Sequence, residues 1–338
     1  MTGSLVLPVL IGLLPVLAFL GALRSLDSYR LVRLRDVLGA VVSGALVAGL
    51  GWLLNGWLLG VTGLELREFS RWVAPFSEEL LKCLFIVALI LAHRIGFLVD
   101  AAIFGFAVGT GFALVENLYF LHLVPHANMS TWTVRGLGTA VMHGGSTAIF
   151  AVMSLALLER NGGRVLRACL PGLLLAVVVH SVYNHLGGAP LFATLAVIIS
   201  LPLLFYWVFQ RSEAATRDWL GHGFDTDLQM LEMVGSGQVA DTPVGHYLET
   251  LRGRFAGPVL ADVLCYLRLY TELALRAKGL LMMRENSFAA ELDDATRANL
   301  AELRYLEGSI GRAGLLAARP LLRMSPKELR QLSLLEGA

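Results

Sequence analysis

Long apolar segments separated by short polar loops occupy the first 210 residues of the chain. A helix that crosses the hydrocarbon core of a bilayer needs about 20 mostly apolar residues, and each of these segments is close to that length. The pattern therefore predicts about seven transmembrane helices and an all-α fold, a polytopic membrane helix bundle. The predicted helices cover residues 4–23, 37–60, 74–92, 97–121, 135–158, 168–186 and 190–209.

The pattern changes after Arg211, where charged residues mix with apolar residues at helical spacing. One apolar stripe begins at Leu260 and another at Leu300, and both repeat every three or four residues, as amphipathic helices do. We expect a transmembrane domain over residues 1–210 and a helical cytoplasmic domain over residues 211–338. The second domain has no recognisable catalytic motif, and we expect it to regulate, to oligomerise or to bind a cytoplasmic partner.

Basic residues in the short loops predict the orientation of the chain, because cytoplasmic loops are enriched in Lys and Arg. The loops after the first, third, fifth and seventh predicted helices contain Arg24, Arg30, Arg33, Arg35, Arg94, Arg160, Arg164, Arg167, Arg211 and Arg217. The opposite loops contain mainly Arg67 and Arg71, which Glu65 and Glu68 balance. The prediction is an N-terminus outside the cell and a C-terminus in the cytoplasm.

Composition supports a location in the lipid bilayer, and we expect the plasma membrane. The chain has 338 residues, of which 56% are hydrophobic and only 16% are charged, whereas a soluble domain has about 25% charged residues. A net charge of +1 argues against a nucleic-acid partner, which needs a basic surface. The cysteines Cys83, Cys169 and Cys265 are too widely spaced for a disulfide framework or a zinc knuckle.

Polar and ionisable side chains interrupt four of the predicted membrane helices. They are Glu78, Glu79 and Lys82 in the third helix, Glu116 in the fourth, His143 in the fifth, and His180 and Asn184 in the sixth. In the predicted orientation all of them lie in the outer third of the membrane, roughly 6–12 Å deep at 1.5 Å per residue. A charge at a helix centre costs about 2.5–3.5 kcal/mol on insertion scales, so such a cluster indicates a function or a packing network.

Carboxylates and imidazoles together can activate a water molecule directly or can bind a divalent metal that does so. An imidazole and a carboxamide one helical turn apart can also face a developing oxyanion. This chemistry suits hydrolysis of a peptide bond within the membrane. Other protease types fit less well, because the chain has no His-Glu pair and Ser146 lacks the flanking glycine of a rhomboid-like site.

The motifs formed by these residues resemble those of the PrsW-type intramembrane proteases over about residues 74–186. The motifs are Glu78-Glu79-x-x-Lys82, Phe112-x-x-x-Glu116, His143 and His180-x-x-x-Asn184. That family is related to the CAAX prenyl-protein endopeptidases and, more distantly, to the Aph subunit of gamma-secretase. The CAAX relatives have an arginine one residue after the position of Lys82 and a histidine where Glu116 stands, so the resemblance is to the PrsW branch.

The resemblance implies a glutamate-dependent or metal-dependent endopeptidase that cuts single-pass membrane proteins near the extracytoplasmic face. The best-known activity of the family is the first cut of a membrane-spanning anti-sigma factor. The expected catalytic residues are Glu78, Glu79, Lys82, Glu116, His180 and Asn184, and the expected metal ligands are Glu116, His143 and His180. Zinc is the favoured metal, and a metal-free mechanism stays open.

Individual roles follow from the same comparison. Glu78 or Glu79 would be the general base, and Lys82 would balance their charge. His180 together with Asn184 could instead polarise the scissile carbonyl.

Two other functions compete with proteolysis. A catalytically silent scaffold or assembly subunit of the same superfamily would keep the polar groups for helix packing, and substitutions there would unfold it. A transporter would use the groups as a proton or ion relay. The transporter is disfavoured because the groups lie at one depth and because the sequence shows no inverted repeat.

Overall fold

The computed structural model describes residues 3–160, 164–235, 238–286, 288, 293–322 and 325–335. These residues form helices and contain no strand, which confirms the predicted all-α fold. The helices of the first 200 residues are α1 (Gly3–Ser25), α2 (Leu34–Thr62), α3 (Leu66–Trp72), α4 (Ala74–Leu91), α5 (Leu98–Leu123), α6 (Met129–Thr133), α7 (Ala140–Arg160), α8 (Val165–His185) and α9 (Pro190–Gly235). They are followed by α10 (Pro243–Leu251), α11 (Gly257–Glu285), α12 (Asp294–Ala318) and α13 (Pro326–Leu335).

The chain divides into two compact units. The first consists of Met1–Asp27 and Leu31–Ser212, and the second of Ser28–Arg30 and Glu213–Ala338. Helix α9 belongs to both, because it continues to Gly235 and not to residue 209 as the apolar pattern predicted. Loss of hydrophobicity ends a membrane span but not a helix, since polar residues continue a helix wherever no breaker intervenes.

Among the described residues, six helical stretches are long and apolar enough to cross a membrane. They are Val6–Ser25, Leu34–Thr62, Leu98–Leu123, Met129–Arg160, Val165–Gly188 and Pro190–Gly235. Helix α4 occupies the place of the third predicted span, but it has only 18 residues and contains Glu78, Glu79 and Lys82. It packs against α2, α7 and α8. The count of seven crossings and the orientation of the chain stay predictions.

Helix α5 has the most buried apolar stretch of the six described helical stretches that could cross a membrane, and glycines bring its neighbours to backbone contact. A Cβ atom at Gly109 would overlap the backbone of His143 and Gly144 in α7, and one at Gly111 would overlap the backbone of Val41 in α2. Only glycine therefore permits these two helix crossings. The close contact sets the position of α7, and so of His143, against α5.

The second unit has its own apolar core, built mainly by α11 and α12. The two predicted stripes supply many of its buried residues, which are Val263, Leu267, Tyr270, Leu300, Leu303, Leu306 and Ile310. The helical spacing of these residues places them on one face of each helix, and those faces pack on each other.

Candidate active site

Helix α4 contributes an ion pair with no exposure to solvent. The side chains of Glu79 and Lys82 are both 0% exposed, and Lys82 Nζ lies 2.6 Å from Glu79 Oε1. The ammonium also lies 4.7 Å from the centre of the Phe112 ring. Because a buried carboxylate without a partner is strongly destabilising, Lys82 is the counter-ion that permits Glu79 to lie here.

His180 of α8 lies between the two glutamates of α4. Its Nδ1 is 2.8 Å from Glu79 Oε1 and its Nε2 is 3.9 Å from Glu78 Oε2. A carboxylate that binds one ring nitrogen fixes the orientation of the ring and directs the other nitrogen. Glu79 therefore holds His180 with Nε2 directed at Glu78.

His143 of α7 is held in a similar way from the other side. Its Nε2 is 2.7 Å from Glu116 Oε2, and its Nδ1 is 3.2 Å from Lys82 Nζ. An ammonium can only donate a hydrogen bond, so Nδ1 accepts and Nε2 donates its proton to Glu116. The rings of His143 and His180 meet edge to face with centroids 4.7 Å apart.

Glu116 has a second partner that sequence reasoning missed. Arg135 Nη2 lies 3.0 Å from Glu116 Oε1, and its Nε lies 2.8 Å from the side-chain oxygen of Asn117. The guanidinium stacks over the Phe120 ring at 4.0 Å. Arg135 lies in a π-helical turn, Val134–Thr139, that leads into α7, and such turns are frequent at functional sites. An arginine in a largely apolar helix was the signal available in the sequence.

Three neutral side chains also join the cluster without having been predicted as site residues. Asn55 Nδ2 of α2 donates to Glu78 Oε1 over 2.9 Å, and Ser77 Oγ donates to Asn55 Oδ1 over 2.5 Å. Ser146 Oγ of α7 donates to Glu79 Oε1 over 3.1 Å. In the sequence, Ser146 was a candidate only as a nucleophile, and the segment that forms α2 contained no predicted site residue.

The side chain of Asn184 bonds the backbone of α3 and not the cluster formed by the other predicted residues. Its Nδ2 donates to the backbone oxygen of Ser70 over 2.7 Å, and Ser181 Oγ donates to that of Arg71 over the same distance. These bonds tie α8 to the end of α3 and satisfy carbonyl groups that a helix end leaves unpaired. A direct part for Asn184 in catalysis stays a prediction.

Three of the clustered side chains can converge on one ion. Glu78, His143 and His180 each offer a ligand atom, and these atoms lie within 4.8 Å of one another. The expected set differed in its carboxylate, because Glu116 lies on the far side of His143, between that ring and Arg135. Two imidazoles and one carboxylate are the ligand set of many catalytic zinc sites.

Comparison with known protein families shows which family the chain belongs to. The model of the PrsW family intramembrane metalloprotease matches residues 30–209. The chain belongs to this family. Comparisons with curated proteins and with solved structures found no match. The family assignment confirms the resemblance seen in the motifs, and its range extends beyond them to include α2 and the first part of α9.

Membership of the PrsW family, together with the apolar helices, makes the chain an integral multi-pass membrane protein from a family of intramembrane proteases. The plasma membrane is consistent with both findings. The residues present also fit the metal that the family description implies. Besides the three converging ligands, Glu79 Oε2 is buried and accepts no hydrogen bond from any described residue, so the cluster has acceptor capacity for a cation.

Proposed function

We propose that the protein is an endopeptidase that cleaves single-pass membrane proteins within the outer part of their membrane spans. The observation that carries this proposal is the convergence of Glu78, His143 and His180 from three different helices. Membrane-spanning anti-sigma factors are the first substrates to examine. The extracytoplasmic position of the cut follows from the predicted orientation of the chain.

The metal would be held by Glu78, His143 and His180, and zinc suits their two nitrogens and one oxygen. When bound, it would supply Lewis acidity that activates a water molecule and polarises the scissile carbonyl. The protein prepares the two imidazoles for this task. Glu79 orients His180 through Nδ1, and Glu116 orients His143 through Nε2. His143 would bind the metal through Nδ1, so Lys82 would have to release its hydrogen bond to that nitrogen.

In the metal-free mechanism, Glu78 is the carboxylate that we assign to the reacting water. Its side chain is 15% exposed and its Oε2 faces His180 Nε2, whereas Glu79 is fully buried with Oε1 already bonded to Lys82, His180 and Ser146. A general base must reach the proton that it accepts. Glu79 is therefore assigned to positioning His180, and Lys82 to neutralising Glu79.

Cleavage is tested by comparing the N-termini of membrane proteins in cells that express wild type, Glu78→Gln or the control Glu249→Gln. Glu249 lies in an exposed pair with Arg252 in the second unit. We expect new termini in the outer part of substrate spans with wild type and with Glu249→Gln only. Identical profiles from wild type and an equally abundant, equally stable Glu78→Gln protein would favour the scaffold.

Metal content separates the two mechanisms. Purified wild type should contain about one zinc ion per chain if the three residues act as ligands, and His143→Ala and His180→Ala should lose it. Active protein without bound metal would establish the metal-free mechanism. Glu78→Gln that keeps its metal but loses cleavage would assign Glu78 as the base and not as a ligand.

The second unit carries none of the motif residues, and we propose for it a regulatory role with a cytoplasmic partner. Its own compact core supports a separate task. Truncation after Ser212 tests the proposal, because unchanged cleavage of every substrate by the truncated protein would contradict it.

A further inference from the structure

Helix α2 supplies a polar side chain to the site although none of the family motifs lies on it. From Val37 to Thr62 the helix has no charged residue, and Asn55 is its only carboxamide. A carboxamide among apolar residues is unfavourable unless its hydrogen bonds are satisfied. Both ends of the Asn55 side chain are satisfied by α4, by Glu78 on one side and Ser77 on the other.

The chemistry of Ser77, Asn55 and Glu78 fixes the direction of the two hydrogen bonds that join them. An ionised carboxylate can only accept, so the amide NH₂ of Asn55 must face Glu78. The amide oxygen then faces Ser77, whose hydroxyl donates to it over 2.5 Å. A flipped amide would direct its oxygen at the carboxylate, which is electrostatically unfavourable.

These hydrogen bonds determine which oxygen of the Glu78 carboxylate stays available for a metal or a water molecule. Asn55 occupies Oε1 at 2.9 Å, and Oε2 lies 3.9 Å from His180 Nε2. In the described structure no other side chain donates a hydrogen bond to Glu78, since Lys82 bonds Glu79 and His143. Without Asn55 the carboxylate of Glu78 could rotate about its side-chain torsions, and Oε2 would no longer be directed at His180.

We propose that Asn55 is a positioning residue of the active site, which holds Glu78 with Oε2 directed at His180, and that Ser77 locks the amide in the required orientation. The proposal rests on the proposed function, because it concerns the carboxylate assigned to the reacting water. It extends the working part of the site from α4, α5, α7 and α8 to α2.

The test uses the full-length protein in lipid nanodiscs and Co²⁺ alone as the probe, with the visible absorption of bound Co²⁺ as readout. Supporting groups behind metal ligands typically change metal affinity by about 10–100-fold. We expect Asn55→Leu to weaken Co²⁺ binding by about 10-fold or more and to alter the absorption band. Ser77→Ala, which keeps the donor but frees the amide to flip, should have a smaller effect in the same direction.

Ser43→Ala is the matched control on α2, because among the described residues Ser43 Oγ bonds only the backbone oxygen of Gly39. It should bind Co²⁺ as wild type does. Asn55→Asp serves as a second variant of nearly the same shape, in case Asn55→Leu does not fold. Its carboxylate would repel Glu78, so we expect a loss at least as large as that of Asn55→Leu.

Failure of the inference differs from failure of the proposed function. Wild-type Co²⁺ affinity in folded Asn55→Leu and Asn55→Asp, alongside a weakened Glu78→Gln, would overturn the role of Asn55 alone. If Glu78→Gln itself binds Co²⁺ normally, the ligand role of Glu78 fails, and Asn55 is judged by cleavage in cells. Full cleavage by Asn55→Leu beside an inactive Glu78→Gln would then overturn the inference.

Discussion

Lys82 in the first unit and Lys278 in the second are both buried, and each is paired with a carboxylate. Lys82 Nζ lies 2.6 Å from Glu79 Oε1, and Lys278 Nζ lies 2.5 Å from Asp227 Oδ2. Each ammonium also lies less than 5 Å from the centre of an aromatic ring. By burial and charge alone, the two lysines have nearly the same environment.

The groups around the two pairs differ in their acid–base chemistry. Two imidazoles adjoin Lys82 and Glu79, whereas the described partners of Lys278 are Asp227 and the carboxamide of Gln331. Imidazoles exchange protons near neutral pH and bind metals, whereas a carboxamide does neither readily. A buried ion pair alone is therefore weak evidence for a catalytic site. The two histidines and the partly exposed carboxylate of Glu78 distinguish the first cluster from the second.

The largest expected effect is loss of cleavage on removing an imidazole from the first cluster. His180→Ala should abolish metal binding and should lower the cleavage rate by at least about 10²–10³-fold, the usual effect of losing a group that stabilises the developing oxyanion. His222→Ala is the matched control, because His222 bonds only the backbone oxygen of Asp218 in the described structure. Cleavage by His180→Ala at the wild-type rate, measured on the substrates found in cells, would remove the distinction between the clusters.

The next effect concerns stability, and both lysines should show it. Lys82→Met leaves Glu79 buried without its counter-ion, and such a change typically costs about 3–5 kcal/mol of unfolding free energy. Lys278→Met should cost less, because the side chain of Asp227 is 20% exposed. Denaturant unfolding of the full-length protein in mixed micelles measures both values.

Double variants that also neutralise the carboxylate of each ion pair distinguish a catalytic role from a structural one. Lys82→Met/Glu79→Gln should recover part of the lost stability but no cleavage, whereas Lys278→Met/Asp227→Asn should recover stability and keep cleavage. Equal activity of the two double variants would mean that the first ion pair is purely structural.

A smaller effect is expected at Arg135, which holds Glu116 from outside the cluster. Arg135→Gln removes the bond to Glu116 Oε1, so metal affinity should fall by about 10-fold, at the low end for a supporting group. Arg135→Lys should retain part of the metal affinity that Arg135→Gln loses. Arg252→Gln, in an exposed pair of the second unit, is the control and should leave metal affinity unchanged. Competition with a chelator of known affinity gives the values.

The smallest effect should come from an exposed charge of the second unit. Thr296 donates to Asp293 through its hydroxyl and its backbone N–H, and these bonds lower the pKa of Asp293. Its folded-state pKa therefore lies below the unfolded value of about 3.9. The contribution to stability is present above that value and is lost as the pH falls through the folded pKa.

Thermal unfolding tests this prediction. Asp293→Ala should lower the unfolding temperature slightly at pH 7, and the difference from wild type should shrink at pH 3. A difference that grows on acidification would contradict the sign of the effect.

The apolar runs alone determined that the chain is a membrane helix bundle, because burial in lipid requires long uninterrupted apolar helices. Four motifs in order along the chain, Glu78-Glu79-x-x-Lys82, Phe112-x-x-x-Glu116, His143 and His180-x-x-x-Asn184, were together enough to show the resemblance to the PrsW family, which the family model confirms. Local spacing carries this information, since residues three or four apart share one helix face. The apolar stripes likewise identified part of the core of the second unit.

Only the tertiary structure decided which of these side chains meet. Asn55 bonds Glu78 across 23 positions of the chain, and His180 bonds Glu79 across 101. Such contacts depend on the rotation and depth of each helix, which no local pattern encodes; the glycine contacts of α5 fix those of α2 and α7. For the same reason Asn184 shares a face with His180 in the sequence but bonds α3 in the folded protein.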